Sequence, residues 1–415
     1  MVDKDKQKPL WLVRPEGTDK RVLLAAANRY DAFLVDATLP DFVCNIVRNT
    51  RKPFIVNPML HVFSRQPEML LKPETGEVKI YYQIMAREYG KVFQEKLGKE
   101  SLTILDYRSM DMEKVSENIL HFQDQKCSGQ LDIFDMDQAL VDKYQIDSGA
   151  ILSKKSNLEP SFYLAPYLCH QEEDDGWYDL SLKFAQSAIK VAKKHKIYAV
   201  IFLLPKELDD NLKIDKIVND YAGLDVGGYI LWVNDLSQTR ASVNQLIGFK
   251  YLVTCLRQTK KPVINLYGGY FSGALKHFGL TGFASGLARS EVKHAFKPFF
   301  PVKKFIRQPN YYIYKAHRPV NIPTAEKILT ECPSMRCSCA ACDGPKSNSN
   351  KMAEPNNASS HFVNVRCKEV ATVSAGLNTV VKDLNDTIGE LNHSKLPEVK
   401  DSKSILTKWK QALEE

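Results

Sequence analysis

The sequence predicts an α/β protein: a (β/α)8 TIM barrel with insertions, followed by a C-terminal helical subdomain. Three observations predict it. Eight short runs of apolar, β-branched or aromatic residues recur between positions 31 and 288, and a span of about 260 residues is typical of such a barrel. Segments with apolar positions at three- and four-residue spacing lie between many of these runs, as amphipathic helices require. No glycine-rich turn follows the first run, which weighs against the competing arrangement, an open doubly wound sheet.

The expected strands are 31–37 (DAFLVDA), 53–59 (PFIVNPM), 101–107 (SLTILDY), 161–167 (SFYLAPY), 198–204 (YAVIFLL), 228–234 (GYILWVN), 262–268 (PVINLYG) and 282–288 (GFASGLA). Most are apolar on both faces, which suits parallel strands covered by helices. Helices are expected at 40–50, 112–125, 178–195, 212–223 and 242–261. The stretches 62–100 and 108–160 exceed plain crossovers and read as two insertions on the barrel. The first holds a strand-to-helix element, EVKIYYQIMAREYGKVFQEKL, and the second an extra helix, DIFDMDQALVDKYQ.

The barrel accounts for residues 1–330, and residues 331–415 form the tail subdomain. A helix, PTAEKILTEC, leads into MRCSCAACDG (335–344). Residues 343–360 are polar and lack apolar periodicity, so they read as a flexible loop. The helix-like stretch 361–391 follows, and KSILTKWKQALEE closes the chain as an amphipathic helix.

Composition narrows the class. Hydrophobic residues make up 44% and charged residues 26%, the balance of a soluble globular protein. No run approaches the roughly 18 apolar residues of a membrane span. The charged start, MVDKDKQKPLWLV, has no apolar signal region, so a cytoplasmic location is expected. Nine cysteines are present, and Cys44, Cys127, Cys169, Cys255 and Cys367 are scattered singly, as buried reduced thiols are.

Cys337, Cys339 and Cys342 are different: they stand at C-x-C-x-x-C spacing. In a reducing compartment such a cluster points to a metal site and not to disulfides. Three thiolates supply three corners of a tetrahedral zinc site. His361, at the start of the next helix-like segment, is the expected fourth ligand, with Cys332 and Cys367 as rivals. Four protein ligands would make the zinc structural, with no open position at which to activate water.

A barrel, then C-x-C-x-x-C after its last strand, then a helix bearing histidine: this order resembles the tRNA-guanine transglycosylase superfamily, including relatives that insert deazaguanines into DNA. The resemblance implies a zinc-containing barrel that exchanges a nucleobase on nucleic acid. One aspartate would be the nucleophile at the sugar C1′, and another would serve base recognition or proton transfer. Cys337, Cys339, Cys342 and His361 fall on the family's metal motif. At the last strand GLTGFASGLARSE offers Ala284 and Ser285 where the family carries its aspartate. The glycine pair of YGGYFS (267–272) follows a different strand from the family's base-binding loop. Asp36 takes the place of the family's first aspartate.

Active sites of such barrels form at the C-terminal ends of the strands. The polar residues there include Asp36, Asn57, His61, His170, Glu207, Asn234, Asp235 and Glu291. A carboxylate pair such as Asp36 and Asp235 could supply a nucleophile and a general acid/base for displacement at a sugar carbon, and Glu291 completes the candidate catalytic set. The opposing reading is that Asp and Asn here cap the following helices, and His61 reads as a surface histidine.

The net charge is +8, and the window 289–319 alone carries +7, with eight lysines and arginines against Glu291. Lys293, Lys297, Lys303, Lys304, Arg307 and Lys315 alternate there with phenylalanines and tyrosines. That mixture joins phosphate attraction to stacking surfaces for bases. The expected partner is therefore DNA or RNA. The opposing reading is a charged loop whose aromatics pack on the barrel, with YYIY a buried strand edge. Two functions follow: a base-exchanging, transglycosylase-like enzyme, or a barrel that has lost catalysis and binds nucleic acid as an accessory protein. Either leaves room for a partner protein or a homodimer.

Overall fold

Alternating β and α elements close on themselves because each parallel strand is apolar on both faces and must be covered inside and out. The computed structural model describes residues 8–16, 19–40, 43–128, 158–172, 176–287, 291–296, 310–342 and 354–415. The barrel begins with β1 (Leu10–Val13), α1 (Lys20–Ala25), β2 (Ala32–Asp36), α2 (Asn45–Thr50) and β3 (Phe54–Asn57). A long connection carries α3 (Ile80–Tyr89), α4 (Lys91–Lys96), α5 (Ile104–Ser109) and α6 (Met112–Gln125) to β4 (Tyr163–Leu164). Then come α7 (Trp177–Val191), β5 (Ile197–Leu203), α8 (Asn211–Ala222), β6 (Gly228–Val233), α9 (Val243–Arg257), β7 (Val263–Asn265), α10 (Tyr270–Ala274) and β8 (Gly282–Ser285).

The eight strands are all parallel, in the order β3-β2-β1-β8-β7-β6-β5-β4. Sequence neighbours are therefore sheet neighbours all the way round, and β1 pairs with β8. At the remaining seam, between β3 and β4, Ser161 N donates to Phe54 O at 2.8 Å. The result is a nearly closed (β/α)8 barrel. Its interior is a separate apolar cluster that includes Leu12, Leu34, Ile55, Val200, Ile230 and Ile264. Above these lie the larger rings of Tyr167, Phe202, Trp232 and Tyr267. The helices bury the outer faces of the same strands. At Gly248 a Cβ would stand 1.8 Å from the Leu208 carbonyl oxygen, so glycine is what lets α9 approach that turn.

Two expectations about strands need correction. Residues 101–107 are not a strand: Thr103 and Asp106 form a capping box that starts the helix α5. The missing eighth strand is β1, LWLV, which the charged residues before it disguise. Without a strand at 101–107, the two expected insertions belong to one connection between β3 and β4. Its strand-to-helix element appears as the Leu71–Val78 bridge followed by α3 and α4. The extra helix expected at 132–145 lies outside the described residues.

Beyond the barrel, β9 (Asn310–Ile313) and β10 (Arg318–Asn321) form an antiparallel hairpin. Tyr311 and Tyr312 are buried in it, so YYIY is a packed strand and not a stacking surface. The tail continues with α11 (Ile322–Glu331), α12 (Pro355–Ala375), α13 (Leu377–Leu391) and α14 (Pro397–Glu414). Gly376, with φ of 136°, separates α12 from α13. The expected loop 343–360 is helical from Pro355 onward, and 343–353 lies outside the described residues. Among the described residues no helix is long and apolar enough to cross a membrane.

Candidate functional site

The thiols fold back on themselves through two short turns, Pro333–Met335 and Ala340–Cys342, and α12 brings His361 to them. Sulfur and nitrogen atoms of Cys337, Cys339, Cys342 and His361 all lie within 4.8 Å of one another, and all four residues are buried. The Cys339 and Cys342 Sγ atoms are 3.7 Å apart, and His361 Nδ1 is 3.4 and 3.2 Å from them. A tetrahedral metal bound at about 2.3 Å by each sulfur sets the sulfurs roughly 3.7 Å apart, so the spacing fits an ion. His361 Nε2 meets the Tyr312 carbonyl oxygen at 2.7 Å. Donating its proton there leaves Nδ1 bare, as a ligand nitrogen must be. The Tyr311 ring stacks on the imidazole at 4.3 Å. This buried Cys3His cluster could hold a metal ion, and Cys332 and Cys367 are not members of it.

Beside the cluster, α12 packs against the barrel. Phe362, next to His361, packs edge-on to Trp11 of β1 at 6.3 Å, and Trp11 Nε1 donates to Ser285 Oγ at the end of β8. One turn further along, Arg366 is fully buried. Its Nη1 is 2.7 Å from Glu369, and its Nη2 donates to Glu291. Tyr312 and His317 also bond Glu369, at 2.9 and 2.6 Å. The other His317 nitrogen is 3.3 Å from Asp383. This network joins α12, α13 and the hairpin to the segment that follows β8.

At the barrel mouth the candidate carboxylates separate. Asp36 ends β2, and both its oxygens are engaged: Asn57 donates to Oδ1 at 2.9 Å and Lys293 to Oδ2 at 3.0 Å. Arg14 stands 4.0 Å from Oδ2. Burial pushes the Asp36 carboxyl up, but Lys293 and Arg14 outweigh it and hold the group below its ordinary range. Asp235 instead turns outward in a left-handed conformation, φ 52°, with Arg240 at 3.9 Å. Glu291 is held by Arg366, and burial keeps its carboxyl above the usual range. Among the described residues the three carboxylates have different charged partners: Lys293 and Arg14 for Asp36, Arg240 for Asp235 and Arg366 for Glu291.

The lysines expected to bind nucleic acid divide as well. Lys293 points inward to Asp36 and over the Tyr267 ring. Its carbonyl accepts from Trp232 Nε1 at 3.2 Å, and Ala295 N donates to Asn234 at 2.8 Å, so residues 293–295 lie across the strand ends. Lys315 pairs with Glu390 at 2.5 Å. Each of these two already has a carboxylate partner. Lys297, Lys303, Lys304 and Arg307 lie outside the described residues.

His61 is not on the surface. It is 2% exposed, set between Tyr167 and Trp232 with ring centroids 5.4 and 5.0 Å away. Burial, then Arg65 and Lys293, push its imidazole well below the ordinary value. Neither ring nitrogen has a hydrogen-bond partner among the described residues, at a cost of about 1–3 kcal/mol for a buried unpaired group. Sequence reading missed Arg14, Arg65 and Arg366. For Arg366 a signal existed: it stands four residues after Phe362, in register with the apolar face of α12.

No family model matches the sequence, and no curated protein matches it. Among solved structures, the chain is similar to the intracellular xylanase TsXylA from Thermoanaerobacterium saccharolyticum JW/SL-YS485, at 7% identity and a TM-score of 0.35. That match covers 74% of this chain and 91% of the xylanase.

Proposed function

We propose that the protein recognises nucleic acid, or a nucleotide, over the C-terminal mouth of its barrel without exchanging a base, and that a zinc ion fastens the tail to the barrel. One observation carries the binding reading. Both oxygens of Asp36, the carboxylate at the mouth, are bonded to the protein's own Asn57 and Lys293. Displacement at a sugar carbon needs a carboxylate free to attack and a second group to protonate the leaving base. Among the described residues neither Asp235 nor Glu291 is bonded to Asp36. Binding needs only charge and shape. The sequence supplies four further cations at 297–307 for phosphate attraction, and the described mouth is built of aromatic rings.

Zinc suits the cluster because three thiolates and one imidazole complete its tetrahedron. No coordination position is left for water, so the ion would fix geometry and take no part in chemistry. Base exchange, which the family resemblance implies, is the second reading. The specific observation favouring it is that Asp36 stands ionised at the mouth.

Two assays on the metal-loaded full chain separate these readings. One follows salt-dependent binding to single- and double-stranded DNA and RNA, in the protein and in a Lys303→Ala/Lys304→Ala/Arg307→Ala variant. The other follows incorporation of labelled guanine or a deazaguanine into the same strands. Binding that weakens with salt and drops in the variant, with no incorporation, is expected. Incorporation that disappears in Asp36→Asn would overturn the binding reading in favour of exchange. Unchanged binding in the triple variant would remove the basic segment from the interface.

A further inference from the structure

The barrel mouth gathers polar groups that the protein does not itself satisfy. Besides the two nitrogens of His61, the Arg65 Nε and Nη2 atoms are buried with no hydrogen-bond partner among the described residues, and the buried Tyr267 hydroxyl has the Arg14 guanidinium beside it but no acceptor for its own proton. Unpaired buried groups are uncommon in native proteins. Several in one place mark a position where another molecule supplies the acceptors.

Two of these groups flank one ring. Trp232 stands between them, its ring 5.0 Å from His61 and 5.3 Å from Tyr267. Arg65 follows His61 on the same turn and is close enough to act electrostatically on both His61 and Lys293. Lys293 and Arg14 lie over the Tyr267 ring at 5.5 and 5.2 Å. Three cations, Arg14, Arg65 and Lys293, meet two anions, Asp36 and the more exposed Glu16, which stands 3.9 Å from Arg14, so these groups carry a surplus of one positive charge. The turn bearing His61 is set by Met59, a non-glycine residue held at φ 53°. Backbone strain of this kind persists where a ligand site requires it.

We propose that the barrel mouth binds a phosphate monoester, with His61, Arg65 and Tyr267 donating hydrogen bonds to its oxygens and Arg14 and Lys293 balancing its charge. The unsatisfied groups are mainly donors, and a phosphate oxygen only accepts. A guanidinium fork matches phosphate geometry. A monoester carries a charge of about −1.5 to −2 near neutral pH, which the surplus at the mouth offsets in part. The inference rests on the reading of the mouth as a binding site but needs no polymer. The monoester belongs either to a free mononucleotide or sugar phosphate, or to the 5′ end of a strand.

The test uses the metal-loaded full chain, isothermal titration and the fluorescence of the protein's tryptophans. The probes are inorganic phosphate, adenosine 5′-monophosphate, ribose 5-phosphate, adenosine, acetate, and an oligonucleotide with and without a 5′-phosphate. Monoesters should bind at least about tenfold tighter than adenosine or acetate, the worth of one charge-assisted hydrogen bond. Arg65→Gln and Tyr267→Phe should each weaken monoester binding at least about tenfold while melting as the wild type does. A 5′-phosphate preference in the oligonucleotide would assign the group to a strand end; tight ribose 5-phosphate with no such preference would assign it to a free metabolite. Absence of monoester binding by the folded protein, equal binding of acetate, or unchanged affinity in both variants would overturn the inference. Loss of strand binding in the Lys303/Lys304/Arg307 variant with monoester binding intact would bear on the basic segment alone. Strand binding without monoester binding would defeat this inference and leave the nucleic-acid reading standing.

Discussion

Lys293 bonds Asp36 at 3.0 Å across 257 residues of chain, and this contact ties the segment after the last barrel strand to the end of the second. It closes the mouth from above with a side chain that the sequence presents as one of a row of phosphate-binding lysines. Both partners are largely buried, at 20% and 15% exposure. In that setting a charge without its counterpart is more damaging than the pair is stabilising.

Lys293→Met should therefore destabilise the protein by about 2–4 kcal/mol, somewhat below the full cost of orphaning a buried charge because Arg14 still stands 4.0 Å from Asp36. Asp36→Asn/Lys293→Met, which removes the orphan, should recover more than half of the loss. Urea denaturation of the two variants checks this. A double variant as unstable as the single would show that the ion pair is not what holds the segment.

The same pair sets an acid limit. The folded Asp36 carboxyl lies below its ordinary value, so its contribution is complete above about pH 4, the unfolded value. It is lost as pH falls through the lower folded value. The stability gap between wild type and Asp36→Asn should stay constant from pH 7 to about 5 and then narrow below about pH 4. Widening of that gap in acid would contradict the assignment.

His317 sets the opposite limit. Burial works to lower its pKa, but hydrogen bonds to Asp383 and Glu369 prevail and raise it. A raised histidine stabilises the fold fully below the unfolded value of about 6.5, and the stability is lost as pH rises through the folded value. Thermal midpoints should fall as pH rises above the unfolded value of about 6.5, and His317→Gln should flatten that slope. An unchanged slope in the variant would place the alkaline sensitivity elsewhere.

Much of the barrel is legible because parallel strands buried on both faces read as continuous apolar runs. SLTILDY misleads for a local reason: four apolar or β-branched residues fit a strand and a first helical turn equally. Only the Thr103–Asp106 capping box decides between them, and T-x-x-D is short enough to overlook. LWLV is hidden because a four-residue strand following six charged or polar residues has little pattern of its own. Its place between β2 and β8 comes from pairing partners far along the chain. The metal cluster is legible because its sulfur ligands are neighbours in sequence. The mouth is not. Glu291 looks like a free acid until Arg366, 75 residues on, is brought to it, and His61 looks exposed until Tyr167 and Trp232 enclose it.

Arg366 is the residue through which the tail reaches the mouth. It sits on α12 with His361 of the candidate metal cluster, and it holds Glu291, two residues before Lys293. Arg366→Met would leave Glu291 without its cation and Glu369 with His317 alone as a charged partner among the described residues, and should cost roughly 3–5 kcal/mol. Arg366→Lys should recover little, since one ammonium cannot bond two carboxylates as a guanidinium fork does. Hydrogen exchange at residues 291–296 should rise in both variants. Unchanged protection there, in a protein that has lost stability, would mean that the segment is held by Trp232 and Asn234 alone.

Removing the metal tests the tail as a whole. The four buried candidate ligands come from two chain segments, 337–342 and α12, which at the cluster also meet through Tyr311 and Tyr312 of the hairpin. A structural metal of this type supplies folding free energy directly. The purified protein should contain one equivalent of zinc. His361→Ala and Cys342→Ser should lose it, whereas Cys332→Ser and Cys367→Ser should keep it, because neither residue belongs to the cluster. Chelation should lower the thermal midpoint and expose residues 355–375 to protease first, since α12 is the helix that the ion fastens. Protection at 291–296 should fall next, through Arg366 and Glu291. If chelation leaves α12 protected, the contact of Phe362 with Trp11 is sufficient to seat the helix, and the ion would serve only the thiol turn.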